Sequence, residues 1–224
     1  LQELVQETIR SVLSTGLHPL GIVCDQGPNN RACLSRLGVS SDHPYFHLDG
    51  RRYLVFYDPP HLLKNNRNNL KNSGVVFMEV KEVQWNHIKD FHVQDTKLPI
   101  RLARKLKKKY IELPGIKNMS VRLAAQTLSR SVTKGISMFF DKLYNAFNSS
   151  SIKHTAPMRY AVTGVSGHMR FFDTALQKLS SIKSKYNSIL PCVDGWIQNI
   201  NALRLLWSEC QLQFLFTARL NQDC

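Results

Sequence analysis

Apolar residues at positions 4, 5, 9, 12 and 13 recur with helical spacing and predict an amphipathic helix over 2–14. Gly16 ends it, and His18-Pro19 opens a new segment. "LGIVC", Leu20 to Cys24, is a continuous apolar run and predicts a short strand buried on both faces. "DQGPNN" follows, where Gly27 permits a tight turn and Pro28 suits a first helical turn. The helix it opens carries Ala32, Leu34 and Leu37 and closes at Gly38. "YFHLDGRRYLVFYD" predicts a hairpin about Asp49-Gly50, its second strand ending at Asp58. Pro59 and Pro60 then open a helix from His61 to Lys71, and "GVVFMEV" supplies another strand.

After Trp85 the texture changes. "NHIKDFHVQD", "LARKLKKKYIEL", "SVRLAAQTLSRSVTKGISMFFDKLYNAF", "HMRFFDTALQKLSSIKSKYN" and "VDGWIQNINALRLLWSECQL" all read as helices, and strand character returns only in "LQFLFTARL". A mixed segment, a long helical one and a return imply an insertion. The expected division is 1–84, an α/β domain; 85–211, an all-helical insertion; and 212–224, the return.

Composition narrows the partner. Thirty Lys and Arg against sixteen Asp and Glu leave a formal net charge of +14, which favours a polyanion, most simply nucleic acid. No apolar run reaches the roughly 18 residues of a membrane span. Five scattered cysteines form no CxxC pair and no zinc-type cluster with histidine, so they read as reduced thiols.

Chemistry concentrates at strand ends. Asp25 closes a strand beside a Gly-Pro turn, a usual place for a site and a suitable magnesium ligand. Asp58 closes a second strand, and His61 lies three residues on, within reach of it. Both aspartates equally suit helix caps, and spacing leaves the two readings open. Lys64, Arg67 and Lys71 share one face of the following helix, a face suited to a DNA backbone and equally to solvent. "RLARKLKKKY" holds six basic residues from Arg101 to Lys109. The chain has no GxxxxGK[ST], so a nucleotide site here is not a P-loop.

Four stretches in order, "VCDQGPNN", "FYDPPHLLKNNRNNL", "MSVRLAAQTLS" and "FTARLNQD", resemble the P-element-type transposases and their THAP-domain relatives. The resemblance covers nearly the whole chain. It implies a partial RNase H-like mixed sheet interrupted by a mostly helical GTP-binding insertion: α/β plus all-α. It implies a nuclear cut-and-paste DNA transposase that uses two magnesium ions for phosphodiester hydrolysis and strand transfer. Transposon-end and target DNA are its implied partners, and a homo-oligomer its implied working form.

By that resemblance Asp25 is the second acid of the catalytic triad. Asp58 and His61 belong to a buttressing Asp-x-x-His element that turns the basic helix toward DNA. Lys105, Val121, Ser129, Asn145, Asn148 and Asp223 are the implied nucleotide residues. Lys105 would meet phosphate, Asn145 and Asn148 the guanine edge, and Asp223 the magnesium side. Asn145 stands where the family usually has aspartate, which leaves the purine preference open. The first triad acid is expected before residue 1 and the glutamate beyond Cys224, so the segment alone is not expected to cut DNA. A domesticated, non-cleaving DNA-binding descendant is the alternative, distinguished by whether both outlying acids are present.

Overall fold

The computed structural model describes residues 1–73, 75–78, 81–112, 120–139 and 167–214. Their contacts divide the chain into two units. Among described residues the first comprises 1–62, 167–179 and 191–214, and the second 63–139 and 180–190. The sequence boundary at Trp85 marks a change of texture. The contact boundary at Leu63 falls earlier, because a helix that starts in the first unit continues into the second.

The first unit opens with α1 (Gln2–Ser14), β1 (Gly21–Cys24) and α2 (Pro28–Arg36). The hairpin of β2 (Tyr45–Leu48) and β3 (Arg51–Tyr57) follows. Its turn is made by Asp49 and Gly50, both at positive φ (51° and 75°), the backbone a two-residue turn with right-handed strand twist requires. The sheet order is β1-β3-β2, with β1 parallel and β2 antiparallel to β3. Tyr53, Val55 and Tyr57, at strand period two, join Ile9, Leu34, Phe46, Leu48 and Leu62 in one core. β1 departs from expectation: Ile22 and Cys24 pack on that core, but Val23 is 67% exposed. Lying at the edge of the described sheet, β1 has only one face covered.

α3 (Pro59–Ser73) leads into β4 (Val75–Met78), β5 (Lys81–Gln84) and α4 (Trp85–Asp95). Then come α5 (Lys108–Ile111), α6 (Val121–Thr127) and α7 (Arg130–Phe139). The second unit packs Trp85, Ile88 and Phe91 of α4 with Ala103, Leu106, Ile111, Val132 and Ile136.

Three expected helices change form here. In "LARKLKKKYIEL" only Lys108–Ile111 is helical. The buried positions 103, 106, 110 and 111 keep helical spacing, yet 102–105 form turns, with the Asp95 carboxylate accepting from the amides of Leu102 (2.6 Å) and Ala103 (3.4 Å) and Arg101 donating to the Leu106 carbonyl (2.6 Å). The long helix expected from Ser120 breaks at Leu128-Ser129, where the Ser129 carbonyl starts α7 by accepting from the amide (3.0 Å) and hydroxyl (3.1 Å) of Thr133.

The third is "HMRFFDTALQKLSSIKSKYN". It is helical only over α8 (His168–Ser180); β6 (Ile182–Ser184) then pairs antiparallel with β4. The Ser184 amide and hydroxyl bond Ser188 at 2.8 and 2.7 Å, closing a tight turn.

α9 (Pro191–Phe214) returns to the first unit and packs along β3. Residues 212–214, read as the start of a strand, continue this helix, and 215–224 lie outside the described residues.

Candidate functional site

The parallel register aligns Cys24 of β1 with Tyr57 of β3, so Asp25 and Asp58 leave adjacent strands at their carboxyl ends. The Asp58 amide donates to the Cys24 carbonyl at 2.8 Å, fastening the two exits together.

Asp58 does the work of a cap. Its Oδ2 accepts from the His61 amide at 3.1 Å and pairs with His61 Nδ1, while its carbonyl accepts from the Leu62 amide at 3.0 Å. The reading of Asp58 and His61 as support therefore has a concrete geometry. Asp58→Ala is expected to lower stability by about 0.5–2 kcal/mol in urea unfolding, the range for loss of a helix cap.

Asp25 is exposed. Its Oδ1 accepts from the Gly27 amide at 2.9 Å and from Asn30 Nδ2 at 2.7 Å. These bonds fix the carboxylate over the turn that enters α2. A Cβ on Gly27 would stand 2.9 Å from Asp25 Oδ1, so a larger residue would crowd the acid. Burial, and then the Asp25 charge, push the neighbouring Cys24 thiol up to about 11. That thiol is protonated at neutral pH and is no nucleophile there.

Residues that sequence reasoning missed close the corner from α9. Gln26 Nε2 donates to the Pro191 carbonyl. A Cβ on Gly195 would lie 2.7 Å from both Gln26 Nε2 and Leu62 Cδ2, so glycine lets the helix approach this closely. Asn199, buried, accepts from the Tyr57 amide at 2.7 Å and donates to the Tyr57 carbonyl at 2.6 Å. Beyond the last residue paired with β2, Asn199 continues the ladder of β3, beside Gln198 Nε2, which donates to the Val55 carbonyl at 3.4 Å. The available signal was faint: a helical glycine and two amides in an otherwise apolar run.

The basic face of α3 is largely covered. Lys64 is 7% and Arg67 0% exposed, and Lys71 is partly buried. Burial lowers the pKa of the Arg67 guanidinium; burial and then the charges of Arg67 and Lys89 lower that of Lys71. Helical spacing put the three on one face, and Lys64 and Arg67 on it are buried.

Of the expected nucleotide residues, the structure describes Lys105, Val121 and Ser129. Lys105 is exposed on the loop before α5; Val121 opens α6, which Ser120 caps through its hydroxyl; Ser129 opens α7. α5 packs against α4 and α6, and α4 against α7, so the three residues sit on neighbouring elements of one unit. Asn145, Asn148 and Asp223 lie outside the described residues. Among the described residues no three His, Cys, Asp or Glu gather as a metal cluster. Asp25 fits magnesium as a single hard oxygen donor, and further acids have to come from elsewhere.

Comparison with known proteins agrees with this architecture. Residues 60–156 match the family model of the TNP-like, GTP-binding insertion domain. Its start lies close to Leu63, where the second contact unit begins. The transposable element P transposase of Drosophila melanogaster is 25% identical over 145 residues, covering 63% of this chain and 19% of that protein. The solved Drosophila P element transposase strand transfer complex aligns with a TM-score of 0.80 and 21% identity, over 98% of this chain and 56% of that one. The chain thus spans about a fifth of the curated relative's length.

Its fold, a small mixed sheet with a largely helical remainder, is shared with the aligned part of that solved structure. In sequence and in fold the chain is similar to P-element-type transposases, and residues 60–156 match the TNP-like GTP-binding insertion domain.

Proposed function

We propose that the chain is part of the catalytic core of a cut-and-paste DNA transposase that acts on transposon ends in the nucleus, as a homo-oligomer, with GTP and magnesium as cofactors. The observation that carries this reading is the parallel pairing of β1 and β3, which sets exposed Asp25 beside the Asp58–His61 brace. A bound magnesium pair would supply water or 3′-hydroxyl activation and leaving-oxygen stabilisation. Asp25 contributes one carboxylate, held over its turn by Gly27 and Asn30. Asp58 fixes the strand-to-helix corner through His61. Asp223 stands as the acid on the magnesium side of the nucleotide.

The family match over 60–156 supports GTP as the nucleotide. Lys105 presents its ammonium to phosphate from an exposed loop, and Val121 and Ser129 line the neighbouring helix starts. Asn145 and Asn148 are proposed to read the guanine edge. Because asparagine accepts only through its single oxygen, Asn145→Asp should sharpen discrimination of GTP from ATP.

Thermal unfolding with nucleotide tests the cofactor reading. In magnesium, GTP at a hundredfold excess over its Kd is expected to add about 2.7 kcal/mol of stability. Lys105→Ala should shift the effect to higher GTP concentration. No stabilisation by GTP, ATP or XTP would remove nucleotide from the proposal.

A further inference from the structure

Asp95 is an expensive residue where it stands. It is the last residue of α4, at the negative end of the helix dipole, and it is 0% exposed. A buried carboxylate persists only when charge and hydrogen bonds compensate it. The bonds to the Asp95 carboxylate come from one place, the start of the basic segment. Arg101 Nε pairs with Oδ2 at 3.0 Å, and the amides of Leu102 and Ala103 donate to Oδ1 at 2.6 and 3.4 Å.

Arg101 then carries the constraint to the far end of the loop. Its Nη2 donates to the Leu106 carbonyl at 2.6 Å and reaches the Ala103 carbonyl at 3.4 Å. Ala103 and Leu106 are buried, and the Leu106 amide closes on the Ala103 carbonyl at 2.9 Å. Between these two anchors only Arg104 and Lys105 stand out into solvent. The loop is therefore fastened at both ends, with a dipeptide of two cations at its tip.

We propose that Asp95 is a positioning residue for the triphosphate of the bound nucleotide: through Arg101 it sets the 102–106 loop, so that Lys105 meets phosphate from a fixed base. This rests on the nucleotide reading above and adds to it a residue that never touches ligand. The physical gain is preorganisation, since a loop already ordered loses less freedom on binding. The loop is not helical, and α5, which follows it, is a single turn, so Asp95 supplies the order that secondary structure does not.

The test is a double-mutant cycle on GTP affinity in magnesium, using the full chain, with Asp95→Asn, Lys105→Ala and the double variant. Loss of a charge-assisted phosphate contact is expected to weaken GTP by about tenfold or more in each single variant. If Asp95 acts through the loop, Lys105→Ala should cost much less in the Asp95→Asn background than in the wild type. Additive losses, or unchanged affinity in Asp95→Asn, would overturn the positioning role while leaving the nucleotide reading intact. Absence of GTP binding in the wild type would overturn both. Far-UV circular dichroism checks the fold. Should Asp95→Asn unfold, Arg101→Lys keeps the charge but removes the fork, and the same non-additivity with Lys105→Ala is expected; additivity there would sink the proposal equally.

Discussion

An Asp25→Asn full-length protein is expected to fold normally and to lose strand transfer by at least about 100-fold, since even residues behind a metal's ligands commonly contribute 10–100-fold. The argument separates the two jobs of this side chain. Its structural job is done by Oδ1, which accepts from the Gly27 amide and from Asn30. An asparagine oxygen accepts both bonds, so the turn into α2 survives. Its proposed chemical job needs the negative charge, which asparagine lacks. DNA binding by gel shift and the urea midpoint should therefore stay near wild type while strand transfer disappears. Parallel loss of stability and strand transfer would return Asp25 to the role of a cap.

The second large effect is expected at Asn199. Replacing it with leucine keeps the branched outline of the side chain but leaves the amide and carbonyl of Tyr57, both inside the first unit, without partners. Each buried backbone group left unsatisfied costs about 1–3 kcal/mol, so Asn199→Leu should lose about 3 kcal/mol or more. In a chain of this size that corresponds to a fall in Tm of roughly 6–12 °C.

Asn199→Asp sharpens the test. Its protonated form can still donate to the Tyr57 carbonyl, whereas its ionised form faces that carbonyl with like polarity. The folded state therefore raises the carboxyl pKa, and stability should be retained in acid and lost as pH rises through about 4 and beyond. Calorimetry at acid and neutral pH would read this directly. An Asn199→Leu protein as stable as wild type would mean that Tyr57 finds other partners and that α9 does not hold the corner.

What the sequence disclosed was local. The Asp49-Gly50 hairpin, the Pro59-Pro60 helix start and Gly27-Pro28 each carry their instruction within a few residues, and each stands where expected. The strand ends bearing Asp25 and Asp58 were legible for the same reason, and their pairing follows from the parallel register.

What was hidden depended on distant partners. Asn199 meets Tyr57 across 142 residues of chain, and nothing local distinguishes it from an ordinary helical asparagine. Arg67 and Lys64 obey the spacing of a charged surface stripe, but spacing fixes only that they share a face, and tertiary packing turned it inward. The segment 101–107 misled in the opposite way. Its apolar spacing is helical, yet it folds as a tight loop, tied at its start by a buried acid six residues before Arg101 and at its end by the bond from Arg101 to the Leu106 carbonyl.

The claim that Asp25 is a metal ligand at the end of β1 is tested most directly by changing the metal's chemistry rather than removing it. Asp25→Cys replaces a hard oxygen with a soft sulfur, which disfavours magnesium and is better accepted by manganese. Strand transfer by full-length Asp25→Cys, measured with magnesium and with manganese, is expected to be absent in the first and partly restored in the second, while the wild type works in both. Full activity of Asp25→Cys in magnesium would contradict direct ligation, and so would its failure to recover in manganese while it still folds and binds DNA.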